Sequence, residues 1–336
     1  MVMDNDSVAR SDLLLNLVKS STQGDKNLFR QTLEALIAEE RNKQHHVLAD
    51  RLLECASTLN GSFMKPTLSN DNNLQSLLFE VLPKKSFDDL LLPDIVRDAC
   101  REVVEEHQRA ELLRSYSIEP RHKILFAGPP GNGKTSLAEG LAFALMYPLI
   151  VVRYEGIIGS YLGETAVRLR KIFDFVRSRQ CVLFFDEFDT VGKERGDLHE
   201  TGEIKRVVSS LLLQIDELPS HVVVVVATNH PELLDRAVWR RFQVRVSLPA
   251  PSQQAIVKYI EMFQQKLKVS LNYEIEKIAE KLKDVSFAEV EDFCNDIHRQ
   301  YVLQASNANL KKIIDDRLAY WRARFCIISN DRRQTK

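Results

Sequence analysis

Residues 124–136 read Ile-Leu-Phe-Ala-Gly-Pro-Pro-Gly-Asn-Gly-Lys-Thr-Ser, an apolar run that enters a glycine-rich turn ending in a lysine and a hydroxyl residue. Gly128, Gly133, Lys134 and Thr135 fill the pattern G-x-x-x-x-G-K-[ST], and Gly131 adds a third glycine. Glycines let the backbone curl so that its N–H groups face phosphate oxygens. Residues 124–127 are expected as the strand that delivers this loop, and residues 135–147 as the helix that receives it. The positive end of that helix adds to the attraction for an anion. The ligand implied is a nucleoside triphosphate: Lys134 would reach its β- and γ-phosphates, and the Thr135 hydroxyl would hold Mg²⁺. Gly128, Pro129, Pro130, Gly131, Asn132, Gly133, Lys134, Thr135 and Ser136 are all expected to line the nucleotide.

A second group of residues completes the chemistry. Residues 181–187 read Cys-Val-Leu-Phe-Phe-Asp-Glu, an apolar strand running straight into two carboxylates. A buried parallel strand next to the loop's strand would bring Asp186 near the metal, through its waters, because Mg²⁺ keeps much of its hydration. Glu187 would then orient or deprotonate the water that attacks the γ-phosphate. Asn229 ends a valine-rich run and either holds the same water or simply opens an Asx turn into Pro231. Arg240 and Arg241 follow an expected short helix over 231–239. Adjacent arginines are either solvated surface charge or a finger that completes a neighbouring subunit's site.

Stepping out to the elements that must carry these groups, strands are expected at 123–127, 149–153, 181–185, 222–227 and 243–248, with helices between most of them. Continuous apolar strands alternating with helices imply an α/β fold with a parallel sheet covered on both faces. The loop would sit at the carboxyl edge of that sheet, where ligands bind in such folds. From 252 to about 326 the pattern is helical only. Residues 8–56 carry helical stripes, among them Leu13, Leu14, Leu17 and Val18, then Leu33, Leu36 and Ile37. The expected organisation is therefore a helical N-terminal domain at 1–57, a linker at 58–85, an α/β domain carrying the phosphate loop at 86–250, a small helical domain at 251–326 and a tail at 327–336. The linker's Ser/Asn/Thr/Gly-rich stretch around Pro66 supports that boundary.

The bulk composition excludes several classes. The 336 residues carry 46 basic and 47 acidic side chains, for a net charge of −1, which is no footprint for a polyanion binder and argues against a nucleic-acid partner. Cys55, Cys100, Cys181, Cys294 and Cys326 are scattered, odd in number and form no C-x-x-C pair, as expected for reduced thiols. Asp4 and Asp6 stand where a signal peptide would be basic or apolar. The most apolar run, 222–227, is too short to span a bilayer. A soluble, cytoplasmic protein with no membrane partner is expected.

Taken in order, G-P-P-G-N-G-K-T, F-F-D-E-F-D and A-T-N-H-P-E-L-L-D-R-A-V-W-R-R-F resemble the AAA+ ATPases, within the branch of hexameric protein remodellers and unfoldases. The resemblance covers about 86–326 and implies a P-loop NTPase sheet followed by a small all-α lid. It implies that Asn229 is the first sensor and that Arg240 and Arg241 are fingers. The segment Ser160-Tyr161-Leu162-Gly163-Glu164-Thr165 is similar to the family's pore loop, so Tyr161 and Leu162 would grip an extended polypeptide, a ring contacting peptide of any sequence through its faces and edges. A second pore loop would fall at 193–203. Residues 86–92, with Asp88, resemble the segment lining the adenine pocket, though Leu-Leu-Pro stands where relatives carry a glycine. Ser286-Phe287-Ala288-Glu289 stands where many relatives show Ser-Gly-Ala-Asp.

The function implied is ATP-driven remodelling, unfolding or threading of a polypeptide substrate through a homo-oligomeric ring, a hexamer by resemblance. Short relatives of this layout occur in bacteria, some beside a subtilisin-like protease in defence systems, so a partner protease belongs to the expectation. Two other classes remain open at the level of sequence: a nucleotide-gated scaffold that docks a partner through its N-terminal helices, and a DNA-acting machine.

Overall fold

The computed structural model describes residues 13, 17, 26–43, 45–57, 77–153, 162–189, 209–267, 273–283, 285–304 and 309–321. The expected pore-loop segment at 160–161, the second loop at 193–203, most of the expected linker (58–76) and the tail lie outside these residues. So do the side chains of residues 162–166.

Six strands form one sheet in the order β1-β3-β4-β5-β2-β6: β1 Leu78–Val81, β2 Lys123–Ala127, β3 Leu149–Val152, β4 Cys181–Phe185, β5 Val222–Thr228 and β6 Val244–Ser247. All neighbours are parallel except β1, which runs antiparallel to β3 with Leu78 opposite Val152. The five expected strands are present. β1 is an addition, because residues 78–81 fell within the expected linker. It is short, and Glu80 interrupts its apolar residues: Leu-Phe-Glu-Val has neither the uninterrupted run of an inner strand nor a clean alternation, and at the sheet edge Phe79 is half exposed. A second correction concerns β4, expected to lie directly beside β2. β5 stands between them. Its sequence, Val-Val-Val-Val-Val-Ala-Thr, is buried throughout. β-branched residues suit a pleated surface packed on both sides, which makes this run the natural centre of the sheet.

Alternate residues along the strands feed two cores. On one face Leu125, Leu183, Phe185, Val224 and Val226 pack with Ile172 and Phe173 of α6 (Leu162–Arg177 in the labels below) and with Ile215 and Phe242. On the other, Ile124, Phe126, Phe184, Val223 and Val225 pack with Val96 and Val103, and with Leu137 and Leu141 from the helix after the phosphate loop. The helices, numbered along the chain, are α1 Lys26–Asn42, α2 His46–Ser57, α3 Asp94–Gln108, α4 Ala110–Ser115, α5 Lys134–Leu145, α6, α7 (209–216), α8 Arg236–Arg241, α9 Gln253–Leu267, α10 Ile275–Lys281, α11 Phe287–Gln304 and α12 (310–321). α9 to α12 close a separate core around Ile256, Ile278, Phe293, Ile314 and Trp321. α1 and α2 form a small hairpin whose buried residues include Leu33, Ile37 and Ala49. Arg51 of α2 lies over the Phe143 ring of α5, 3.5 Å from its centroid. Cys100, Cys181 and Cys294 are free thiols, and burial pushes each pKa up to about 12.

Two imidazoles beneath the sheet make stability depend on pH. His122 is buried, with Nε2 lacking a partner among the described residues, and desolvation lowers its pKa. His107, bonded to the Arg121 carbonyl at 2.9 Å, is lowered by burial as well. The unfolded chain therefore binds these protons first. Their stabilisation is present above the ordinary histidine value of about 6.5 and is lost as pH falls below it toward the depressed folded values. Thermal unfolding at pH 7.5 and pH 5.5 should show a lower midpoint at the acid end, and His122→Asn should flatten that slope.

Candidate nucleotide site

The phosphate loop leaves β2 between two neighbours. Gly128 donates its N–H to the Thr228 carbonyl at 3.2 Å, and Leu248 donates to the Ala127 carbonyl at 2.8 Å. A Cβ on Gly128 would stand 2.1 Å from the Leu248 oxygen, so no side chain fits there. Gly131 and Gly133 take φ of +76° and +82°, the left-handed region that glycine enters without strain. Gly133 is the open position: a Cβ there would meet nothing within 4 Å. That vacant cradle lies at the N-terminus of α5, where backbone N–H groups lack helical acceptors.

Lys134 is the first residue of α5 and is buried, its Nζ donating to the carbonyls of Gly128 at 2.7 Å and Pro129 at 2.9 Å. Burial lowers its pKa, while Asp186, Asp189 and Glu187 pull it back up. Thr135 donates its hydroxyl to Asp186 Oδ2 at 2.7 Å, so β4 reaches the loop across the intervening β5. The other Asp186 oxygen accepts the Glu187 N–H at 2.9 Å. Glu187 itself sits at φ +49°, a left-handed conformation that costs a non-glycine residue about 1–2 kcal/mol. Strain of this kind collects where a side chain must be aimed. Phe188 then rejoins the sheet through its N–H to the Ala227 carbonyl at 2.9 Å.

Asn229 follows β5 directly. Because the strand order is β4-β5-β2 and all three run parallel, Asp186, Asn229 and Gly128 leave the same edge of the sheet from adjacent strands. One residue that sequence reasoning missed stands among them. Asp189 is buried, and its Oδ1 accepts both the Thr228 hydroxyl at 3.1 Å and the Asn229 N–H at 3.0 Å. The third acid of Asp-Glu-Phe-Asp was the available signal.

The helical lid meets the loop through α11. Ala288 donates its N–H to the Gly131 carbonyl at 2.9 Å, and Phe287 donates to Asn132 Oδ1 at 3.3 Å. Ser286 and Glu289 close a cap on that helix, with Ser286 N–H and hydroxyl both donating to the Glu289 carboxylate at 2.7 and 2.8 Å. The Phe287 side chain does not hold the lid away. Its ring turns to Tyr259 of α9, 6.1 Å between centroids, and leaves the backbone free to approach. Asn132 is buried and its Nδ2 has no partner among the described residues. An unpaired buried donor costs about 1–3 kcal/mol, and nucleotide oxygens are acceptors of the kind it lacks.

The remaining expected residues fall nearby or opposite. Residues Phe87–Asp89 form a 3₁₀ turn with Phe87 packed close to Gly140 of α5, while Lys84 and Lys85 donate backbone N–H groups to Glu139 and Lys85 Nζ reaches Ser136 Oγ at 3.1 Å. Asp88 lies on the exposed side of that turn. Arg240 and Arg241 occupy the last turn of α8, preceded by a separate 3₁₀ turn at Pro231–Leu233, so the expected single helix over 231–239 is two elements. Arg241 is ion-paired with Asp216, which also takes Lys123 Nζ at 3.2 Å. Arg240 is exposed and makes no ion pair among the described residues.

The loop, the carboxylate beside its threonine and the open cradle at Gly133 define a nucleoside-triphosphate site. Residues 124–250 match the ATPase family associated with various cellular activities (AAA). An uncharacterized AAA family ATPase of Sinorhizobium fredii is 34% identical over 304 residues, covering 88% of this chain and 91% of that protein. A putative 26S proteasome regulatory subunit homolog of Methanothermobacter thermautotrophicus is 27% identical over 216 residues, 63% of this chain and 57% of its own. A cell division cycle protein 48 homolog of Archaeoglobus fulgidus is 31% identical over 229 residues, 66% of this chain but 31% of its own. The chain thus spans nearly all of the first relative and only part of the two archaeal ones. It belongs to the AAA family of ATPases, and its activity is the hydrolysis of ATP.

The glycines separate folding from binding. Gly133→Ala is expected to fold, at a strain cost of about 1–2 kcal/mol, yet to lose nucleotide binding because the methyl group fills the cradle. Gly128→Ala is expected to fail to fold. Urea unfolding and titration with a fluorescent ATP analogue distinguish the two outcomes.

Proposed function

We propose that this ATPase works as a cytoplasmic homo-oligomeric ring, a hexamer, that uses ATP hydrolysis to remodel or thread a polypeptide. The observation that carries the reading is the separation of Arg241 from its own phosphate loop. Arg241 is tied through Asp216 to Lys123, the first residue of β2, whereas the loop follows Ala127, the last. Four strand steps of about 3.3 Å put roughly 13 Å between the two ends. An arginine so placed has no short route to its own nucleotide, and a head-to-tail neighbour supplies one.

Within this reading ATP lies along residues 128–136, with backbone N–H groups and Lys134 on its phosphates. Thr135 and Asp186, already in hydrogen-bond contact, are the residues that would hold Mg²⁺. The metal would offset charge on the β- and γ-phosphate oxygens. Glu187 takes the proton of the attacking water and Asn229 orients that water. Arg240 and Arg241 stabilise charge on the neighbour's transferring phosphoryl group, and the ion pair of Arg241 with Asp216 sets the direction of α8. Leu162, the first residue of α6, and Tyr161 before it in the sequence grip the substrate. The relatives named for the proteasome regulatory subunit and for cell division cycle protein 48 support a polypeptide substrate, and a coupled protease would receive the threaded chain.

Glu187→Gln should bind ATP and hydrolyse it at least about a hundredfold more slowly, within the usual span for a general base. Full turnover would remove Glu187 from the mechanism. The shared site has a sharper test. Lys134→Ala and Arg240→Ala should each be inactive alone. Mixed one to one they should regain activity at about a quarter of their interfaces, where an intact loop meets an intact arginine in a head-to-tail ring. An inactive mixture would refute the shared site. Tyr161→Ala should spare ATPase activity and abolish remodelling of a tagged unfolded protein.

A further inference from the structure

We propose that Asp189 is a positioning residue for hydrolysis, its carboxylate locking the end of β5 so that Asn229 stays in register with Glu187. This rests on the reading of Glu187 and Asn229 as the pair that holds the attacking water.

The chain leaving β4 is anchored at consecutive residues. Asp186 is held by the Thr135 hydroxyl, Glu187 takes its left-handed turn, and Phe188 bonds the Ala227 carbonyl. Asp189 then reaches across to the residues that follow in β5: one oxygen accepts from Thr228 Oγ1 and from Asn229 N–H. The Thr228 hydroxyl in turn accepts the His230 N–H at 3.1 Å, extending the clamp to the residue beyond Asn229. Two loops that must present side chains to one water are thereby fastened to each other within four residues of the strand ends.

A bland role as a solvated acid does not fit. Asp189 is only 4% exposed. A buried carboxylate is costly unless hydrogen-bonded, and charge-assisted bonds are about twice as strong as neutral ones. That strength is spent on the backbone of the one residue that sits between the phosphate-loop strand and the carboxylate strand. Misplacing a reacting group by about 1 Å can cost a hundredfold in rate, so a clamp here acts on turnover more than on binding.

The experiment measures steady-state ATP hydrolysis by the full chain. Asp189→Ala is expected to lower kcat about tenfold to a hundredfold while KM for ATP stays within about threefold. Asp189→Asn keeps an acceptor oxygen in the same place and should recover to within about fivefold of wild type. Adding Asp189→Ala to Asn229→Ala should change kcat by less than about twofold, because the clamp acts through Asn229. Losses that multiply in the double variant overturn the proposal, as does a raised KM with kcat intact. Full turnover in Asn229→Ala alone sinks the sensor reading itself, and the clamp with it, whereas an impaired Asn229→Ala with multiplying losses sinks only the clamp. Should Asp189→Ala fail to fold, Thr228→Val, isosteric and at home in a strand, replaces it in the same cycle under the same criterion, with a smaller expected loss of about threefold to tenfold.

Discussion

The site depends on one backbone contact, the approach of Gly128 to the Leu248 carbonyl. With 2.1 Å between that oxygen and the place a Cβ would take, the first residue of the loop is wedged between the exits of β5 and β6. The loop's origin is therefore a property of the sheet. Its far end is fixed as firmly, because α5 buries Leu137, Ala138, Leu141 and Ala142 against the strands. Each large apolar side chain so buried contributes about 1.5–3 kcal/mol. Between two such anchors the glycines supply the curvature, and Lys134 and Thr135 inherit their positions from the core.

Insertion of β5 between β2 and β4 gives this arrangement its reach. In a sheet where the carboxylate strand adjoined the loop strand, Asp186 would need only a short span. Here it crosses the width of another strand, and the Thr135–Asp186 bond at 2.7 Å shows that it does so. The intervening strand is then free to place Asn229 between the two. The lid adds a third partner. The first N–H groups of α11, which would otherwise lack acceptors, are satisfied by Gly131 and Asn132. Anything that reshapes the loop must therefore disturb the lid's docking, which makes the loop the mechanical joint as well as the phosphate cradle.

Much of this was legible in the sequence because its signals are local. The glycine spacing, the apolar run into Asp186 and Glu187, and the valine run before Asn229 each report a strand and its exit within a few residues. The helical lid was legible from periodicity and the absence of strand signals. What sequence did not carry is lateral order. Nothing in 181–185 or 222–227 states which strand touches β2, since both runs are uniformly apolar and either could fill the centre. β1 was hidden because it is only four residues long and Glu80 breaks its apolar sequence, so it lacks the continuous run of an inner strand. Asp189 went unread for a related reason: its partners, Thr228 and Asn229, are about forty residues away, and only the pairing of β4 with β5 brings them together.

In the proposed ring, strand direction also bears on how the work would be divided between copies. In a parallel sheet every carboxyl end faces one way, so a chain that gathers Lys134, Asp186 and Asn229 at that edge leaves the amino ends to other groups. Asp216 collects Lys123 and Arg241 there. The pair sets α8, and with it Arg240, at the opposite end of β2 from the phosphate loop. On the proposed ring reading, the polarity that concentrates one half of the chemistry at one edge would export the other half, and a head-to-tail contact would bring the two ends of different sheets together.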